Sequence, residues 1–388
     1  MHQAEVVVIG AGMAGLSLAR DLMKSGIDVL CIDKSRGTGG RLASKRVMNE
    51  AFGVLAFDLG ASSFQATNHS FKNFLVEAGD KVHRLSNGEY VAASRSSALT
   101  RELATGIRLE CGQRITRIEY LEDQAEYPWK TFIQNNGEEC LFSQSTYLVL
   151  ATPPEQAYAL VPQDHPYKSA FDYVETLPQW VSVFYVADDT FNTLGLDQVH
   201  AVNTPESSVI KRVSLESVKA DRTPPEHGQG VLVKVEAQPM WSKARTDYDK
   251  EDIAQALWRA LWEIKPVLKN EVGLDILDQP LYCYTHRWLY SLPQQNVLSR
   301  AGQVKGLNHL GPQENLCLCG DYLGMGRGLH GVEAAYLSGT SLAMALIQTR
   351  QGLSQKSDVS KNQGANNQGM GNKGMGNKGM GNKGMGNQ

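Results

Sequence analysis

The chain has no apolar run approaching the roughly 20 residues a membrane-crossing helix needs. Its first apolar stretch, Val6 to Ile9, is four residues long and follows Glu5 rather than a basic region. A membrane span and a secretory leader are therefore not expected, and the expected location is the cytoplasm. Cysteine is sparse and unpatterned: Cys31, Cys111, Cys140, Cys283, Cys317 and Cys319 fall mostly inside apolar strand-like runs, with no Cys-x-x-Cys. That scatter argues against a metal knuckle or a disulfide framework and predicts buried thiols in a reducing compartment. An excess of one charge is missing too, since 38 Lys+Arg against 41 Asp+Glu leave a net charge of −3. Nothing there attracts nucleic acid or an anionic membrane, and a small-molecule partner remains.

What is present is an ordinary globular composition, 42% hydrophobic and 20% charged over 388 residues, long enough for a large core and two domains. The organising stretch is Val6-Val7-Val8-Ile9-Gly10-Ala11-Gly12-Met13-Ala14-Gly15. It reads as a strand buried on both faces, a glycine turn and a helix. Gly10 permits the turn, Gly12 admits a pyrophosphate close to the backbone, and Gly15 lets the helix pack on the strand. Phosphates would sit at the helix N-terminus, beside Ala14, where unpaired N–H groups and the helix dipole favour negative charge. The helix buries Met13, Leu16, Leu18 and Leu22, ends at Ser25-Gly26, and leads to a strand over Asp28 to Ile32. Asp33 follows, at the distance where an acid bonds the adenosine ribose hydroxyls; a solvated strand-end aspartate is the bland alternative.

Next comes Lys34-Ser35-Arg36-Gly37-Thr38-Gly39-Gly40-Arg41, in which paired glycines allow close backbone approach and a guanidinium can fork onto a phosphate. An NAD-only domain needs no second loop of this kind. Asp33 to Arg41 resembles the glycine-glycine-arginine motif of the flavin enzymes that include monoamine oxidases, protoporphyrinogen oxidase and phytoene desaturase. Within them the run DKSRGTGGRLASKR looks most like renalase and its bacterial homologues. The resemblance implies an α/β fold: a glutathione-reductase-like FAD-binding Rossmann domain with an inserted α+β mixed-sheet substrate domain. The FAD domain is expected over residues 1–70, 95–155 and 300–350, the substrate domain over 71–94 and 156–299, and a disordered tail over 354–388.

Further motifs carry the resemblance along the chain. Phe57-Asp58-Leu59-Gly60-Ala61-Ser62-Ser63-Phe64 resembles the D-x-G-A segment beside the flavin, with Ser62 and Ser63 where relatives carry a glutamine and an aromatic residue. By resemblance Lys34, Gly40, Arg41, Gly60, Ala61, Ser62 and Ser63 touch the cofactor, the backbone of Ile115 meets the adenine, and Asp321 of the Gly320-Asp321 pair accepts from the ribityl chain.

Residues 96–104 read as a short helix. Ile107 to Cys111, Arg114 to Tyr120, Trp129 to Gln134 and Glu139 to Phe142 read as a small antiparallel sheet turning at Asn136-Gly137. Thr146 to Leu150 reads as a buried strand stopped by Pro153-Pro154. Trp180 to Val186 and Val231 to Ala237 read as half-buried strands, and Lys250 to Lys265 as one amphipathic helix.

In Leu281 to Tyr290, alternation puts Tyr282, Tyr284, His286, Trp288 and Tyr290 on one face, and Cys283, Thr285 and Arg287 on the other. That ring face suits either a wall opposite a flavin or plain packing. The renalase-like run here implies that His286, Arg287, Trp288 and Tyr290 orient the substrate, although Leu289 replaces the family's arginine.

The resemblance implies that Gly320-Asp321 closes the site and that a helix from Leu329 to Ile347 aims its positive end at the flavin; Gly324 to Gly328 is a glycine-rich loop that reads poorly as a second nucleotide loop, and a Gly/Asn/Lys/Met repeat tail follows. The resemblance implies a non-covalent FAD enzyme that oxidises 2- or 6-dihydroNAD(P) isomers and passes the electrons to O2 as H2O2. An amine oxidase or desaturase of the same superfamily, and a non-catalytic FAD-binding protein, are the alternatives.

Overall fold

The computed structural model describes the chain except residues 125, 170, 172–173, 188–200, 220, 223–229, 277, 295–308, 324–330 and 369–388, with backbone alone over 309–313 and 353–368. The loop at 324–328 and the repeats from 369 therefore lie outside the described residues. Residues Met1–Met344 form one compact unit and Ala345–Gln388 a second.

Two sheets carry the large unit. The first is built around β1 (His2–Ile9), flanked in parallel by β2 (Val29–Asp33) and by the far half of the long strand Glu138–Leu150. Arg108–Cys111 and Leu316–Cys319 extend it in parallel on either side, and His309–Gln313 closes one edge antiparallel. Its core strands are apolar on both faces, as a covered parallel sheet requires: Val6, Val7 and Val8 of β1 and Leu148, Val149 and Leu150 are fully or almost fully buried. Helix α1 (Met13–Lys24) covers one face, burying Leu16, Leu18 and Leu22, and ends as expected with Gly26 at φ +72°.

Two strand expectations are corrected here. Arg108–Cys111 does not join the antiparallel strands: it pairs in parallel with β2, Leu30 against Arg108 through Asp33 against Cys111. The intervening helix Ser97–Leu103 supplies the crossover that a parallel pairing needs. Glu139 to Phe142 and Thr146 to Leu150 are one strand, Glu138–Leu150, with a register shift between Leu141 and Ser143. One half pairs antiparallel with Trp129–Asn135 through the Asn136-Gly137 turn, whose φ values of +50° and +87° suit this tight hairpin.

The second sheet runs in the order Ala201–Asn203, Ile210–Leu215, β5 (Val231–Ala237), the long strand Thr176–Val186, then β6 (Tyr282–Pro293). Expected to be mixed, it is antiparallel in every described pairing, because the three strands from 201 to 237 follow one another as a meander. Its central strands are buried on both faces rather than one. Helix Lys250–Glu263 packs Ile253, Leu257 and Leu261 on one side, while the hairpin β3 (Ser44–Asn49) and β4 (Gly53–Asp58) brings Leu55 and Phe57 to the other. The helix expected to reach Lys265 breaks at Ile264, where Pro266 cannot continue it and instead sits in the first turn of Lys265–Val272.

The last helix, α2 (Gly331–Gln368), is helical in its backbone beyond Ser354, where the change in composition predicted disorder to begin. Residues 354–368 contain no proline, and only Gly364 among them is a strong helix breaker. Within the large unit α2 meets α1 at Gly339, where an added Cβ would lie 2.1 Å from the Ala14 carbonyl oxygen and 2.3 Å from Ser17 Oγ. Ser17 Oγ also donates to the Tyr336 carbonyl at 3.3 Å. Gly339→Ala is expected to lower stability by about 1–3 kcal/mol through overpacking, read as a lower urea midpoint; an unchanged midpoint would show that the two helices part freely.

Candidate flavin-binding site

The carboxyl ends of the parallel strands converge, which is where open α/β sheets bind ligands. Gly10 follows β1 at φ +117°, and a Cβ there would lie 2.6 Å from the Ala151 carbonyl oxygen. Gly15 seats the helix on the turn, for its Cβ would fall 2.0 Å from the Gly10 carbonyl oxygen. Gly12 differs: a Cβ would meet only Gly40 Cα, at 4.0 Å, and one on Gly40 (φ +52°) would come within 3.4 Å of Gly12 Cα. Two glycine backbones thus face each other with no side chain between them, at the start of a helix with neither a side-chain cap nor an acid in its first turn. Ala14 lies in that first turn. Asp33 closes the end of β2, where Oδ2 accepts from Ala11 N and Oδ1 from Ser35 N, both at 2.7 Å. Beside it, burial and then Arg114 lower the Lys34 pKa. Gln113 N donates to the Asp33 carbonyl at 3.0 Å, which brings the start of Ile115–Tyr120 to the same edge; the Ile115 side chain itself is buried.

Arg41 does not point to a phosphate. It forks onto Asp321, Nη1 to Oδ2 at 2.7 Å and Nη2 to Oδ1 at 2.6 Å, and donates also to the Ser291 carbonyl at 3.0 Å. Burial disfavours its charge, and Asp321 more than offsets this, so the guanidinium pKa is raised. The two predicted cofactor residues are thereby brought together across 280 positions, with the end of β6 held beside them.

The D-x-G-A segment packs against the same loop. Leu59 N and Gly60 N donate to the Ala43 carbonyl and Ala61 N to the Arg41 carbonyl at 2.9 Å, and a Gly60 Cβ would lie 1.8 Å from that Arg41 oxygen. Ser62 and Ser63 turn their hydroxyls to protein: Ser62 Oγ donates to Glu216 at 3.3 Å, and Ser63 Oγ to Glu89 at 2.8 Å while accepting from Arg212 at 2.7 Å.

Beneath this segment lie charged residues that sequence reasoning missed. Asp58 accepts from Ser44 Oγ, Ser96 N, Ser96 Oγ, Lys219 Nζ and Arg222. Glu216 accepts from Asp58 N at 2.9 Å and Lys219 Nζ at 2.7 Å. Burial pushes the Asp58 carboxyl up, but Lys219 and Arg222 hold it far below the carboxylate range. Lys234, fully buried in β5, donates to the Gly60 carbonyl and pairs with Glu236 at 2.9 Å. The one available signal was a Lys and a Glu two apart in the otherwise apolar run Val231-Leu-Val-Lys-Val-Glu-Ala237; the half-buried reading sent both to solvent.

On β6 the ring face divides. Tyr282, Tyr284 and Trp288 pack against the cluster of Leu55, Phe57 and Leu59, and Trp288 Nε1 donates to the Leu59 carbonyl at 2.9 Å. His286 meets Trp288 edge to face, centroids 4.7 Å apart. Its pKa is lowered by burial first, then by Lys250 and Lys45. Tyr290 is half-buried on the same strand. Arg287 is separated from these residues: it is exposed on the opposite face, with its guanidinium 5.6 Å from the Trp180 ring centroid and a hydrogen bond to the Thr246 carbonyl. Alternation along a strand allows nothing else.

Comparison with known proteins places this geometry. Residues 91–347 match the flavin containing amine oxidoreductase family and residues 8–78 an NAD(P)-binding Rossmann-like domain. The chain belongs to the flavin containing amine oxidoreductases. It is similar to 4,4'-diaponeurosporene oxygenase of Staphylococcus haemolyticus (strain JCSC1435), 42% identical over 62 residues, which are 16% of this chain and 11% of that one. The chain spans between 8% and 27% of the lengths of the curated relatives it matches. Among solved structures, cyclohexylamine oxidase from Brevibacterium oxydans IH-35A superposes with a TM-score of 0.61 at 10% identity, over 90% of this chain and 99% of that one. A putative protoporphyrinogen oxidase from Exiguobacterium sp. 255-15 does so with a TM-score of 0.59 at 12% identity, over 90% and 99%. The fold is thus an α/β Rossmann domain with a separate antiparallel sheet, as in amine oxidases. The family implies FAD, and the N-terminus of α1, with no side-chain cap and no acid in its first turn, fits its pyrophosphate.

Two outcomes test the site. Asp321→Asn keeps the shape but removes the charge facing Arg41, and is expected to cost roughly 1.5–3 kcal/mol of stability and to weaken FAD retention; equal unfolding curves and equal flavin content would refute it. The carboxyls of Asp58, Glu89 and Glu236 are all held below their ordinary values, against burial, by neighbouring cations. Groups depressed in the folded state contribute stability that is fully present above the unfolded pKa and lost as pH falls through the folded one. These three groups thus add no slope to the unfolding midpoint between pH 8 and about pH 5, and add a drop below about pH 4.5, one that Glu89→Gln makes smaller.

Proposed function

We propose that the protein is an FAD-dependent oxidase of dihydronicotinamide isomers, 2- or 6-dihydroNAD(P), with non-covalent FAD. The observation that carries this reading is the charge around the His286–Trp288 face. Burial, then Lys250 and Lys45, lower the His286 pKa and so favour its uncharged ring, which meets Trp288 edge to face. Such a surface suits a neutral dihydropyridine ring on a phosphate-bearing dinucleotide and opposes an alkylammonium.

The chemistry FAD supplies when bound is acceptance of a hydride at N5 and return of the electron pair to dioxygen as hydrogen peroxide. Rearomatisation of the pyridine provides the driving force, which leaves orientation as the main task of the chain. Trp288, fixed by its bond to the Leu59 carbonyl, holds the His286 ring in place. Burial pushes the thiols of Cys31, Cys317 and Cys319 up, the last to about 12, away from the thiolate that a covalent flavin link needs. A second reading, oxidation of a small amine, is favoured by the likeness of the fold to cyclohexylamine oxidase.

Anaerobic stopped flow separates the two. Mixed with 6-dihydroNAD(P), the flavin band near ~450 nm is expected to bleach at least tenfold faster than with NADH or cyclohexylamine, and admitting air releases peroxide. Faster bleaching by the amine would replace the first reading with the second, and no bleaching by any of the three would overturn both.

A further inference from the structure

A small cleft open to solvent lies between the β3–β4 hairpin and the turn at Ser94-Arg95. Lys45, Arg46, Arg95 and Arg222 line it, together with the hydroxyl-bearing Ser44 and Ser94. It shares no lining residue with the Gly12–Gly40 contact or with the Arg41–Asp321 pair.

The charges of the cleft do not balance. Arg222 and Lys219 are matched by Asp58 and Glu216, two cations against two carboxylates, in a buried cluster. Lys45, Arg46 and Arg95 remain, and among the described residues none has a carboxylate within ion-pair distance. Crowding shows at Arg95, whose pKa is lowered by burial and then by Arg101, Arg46 and Arg222.

A second observation is independent of this count. The Arg222 side chain is only 2% exposed, yet among the described residues its Nε and Nη1 have no hydrogen-bond acceptor while Nη2 is bound to Asp58. Buried donors of this kind are nearly always satisfied in native proteins, because leaving them without an acceptor is costly. A guanidinium is satisfied best by a planar or tetrahedral oxyanion with several acceptor oxygens.

We propose that this cleft binds the phosphate group of a small molecule, Arg222 donating from its floor and Arg46 and Arg95 supplying charge at its rim. A phosphate group carries between one and two negative charges at neutral pH with three strong acceptor oxygens, which answers both the missing acceptors and the excess of cations. Lys45, paired with Phe57, takes the other face of the hairpin from Arg46: its Nζ lies 5.7 Å from the Tyr284 ring centroid and the Phe57 ring 5.6 Å from it. The site does not depend on which substrate the flavin oxidises.

Isothermal titration of the FAD-loaded protein at fixed ionic strength tests it, with inorganic phosphate and ADP as separate probes. Saturable binding at one site per chain is expected for both, weakened at least tenfold in the Arg46→Ala/Arg95→Ala double variant, whose substitutions lie outside the apolar core. Unchanged flavin absorbance and urea midpoint identify that variant as folded, and Arg46→Lys, which keeps the charge, is expected to retain most of the affinity. Equal affinities for the two probes would assign the site to the phosphate group alone; tighter ADP, displaced by phosphate, would assign it to a nucleotide. Absence of saturable heat with either probe, or equal binding by wild type and the double variant, would overturn the proposal.

Discussion

The pairing of Arg41 with Asp321 is the contact on which the candidate site depends. The guanidinium comes from a loop that follows the second strand, and the carboxylate from the turn after Leu316–Cys319, so a single bidentate bond ties the beginning of the sheet to its end. Its third hydrogen bond, to the Ser291 carbonyl, draws in the last turn of pleat in β6 and with it the second sheet. Three chain segments that are remote in sequence are thereby fixed to one planar cation. The planarity matters: a lysine could neutralise Asp321 but could not hold a carboxylate fork and a carbonyl at fixed angles to each other.

Close backbone contact extends the same constraint. With Gly60 against the Arg41 carbonyl and Gly12 against Gly40, these loops pack backbone on backbone, without side chains between them. Their positions are set from behind by buried charge. Lys234 holds the Gly60 carbonyl, and Asp58 and Glu216 hold the segment's start and Ser62. Buried ion pairs contribute little net stability when compared with apolar packing, but removing one partner is costly. The cluster is therefore a device for position: it fixes where the D-x-G-A backbone lies, at the expense of intolerance to single substitutions. It also explains Ser62 and Ser63, which depart from the glutamine and aromatic residue of similar proteins. Both hydroxyls are spent on Glu216, Glu89 and Arg212, so here the segment is held by hydrogen bonds where a ring would hold it by packing.

What could be read from sequence follows from the range of the interactions. Gly10, Gly12 and Gly15, the Gly26 helix end and the Asn136-Gly137 hairpin are local requirements on backbone dihedrals and close approach, and each is visible in a few adjacent residues. The alternation that sets Arg287 apart from His286 and Trp288 is likewise local. Arg41 with Asp321, Asp58 with Lys219 and Lys234 with Gly60 are not, being separated by more than 150 positions. No period or spacing encodes a partner at that distance. The parallel pairing of Arg108–Cys111 with β2 was hidden for a related reason. A strand's neighbours are decided by the crossover that precedes it, and a seven-residue helix such as Ser97–Leu103 is a weak signal.

Charge finally separates what the fold leaves open. Superposition on amine oxidases fixes the arrangement of sheets, and many chemistries share it. Sites for alkylammonium ions need negative charge or aromatic faces free to receive a cation. Here Trp288 and Tyr284 are already packed on Leu59 and Phe57, Lys45 lies over Tyr284, and burial, Lys250 and Lys45 all disfavour a charge on His286. The same Lys45 lines the cationic cleft behind the hairpin. Adjacent on β3, Lys45 and Arg46 take opposite faces of the hairpin, Lys45 toward the rings and Arg46 toward Arg95. Beside Lys45 an alkylammonium meets a like charge and a neutral ring does not, which is the physical basis of the proposed preference for an uncharged ring.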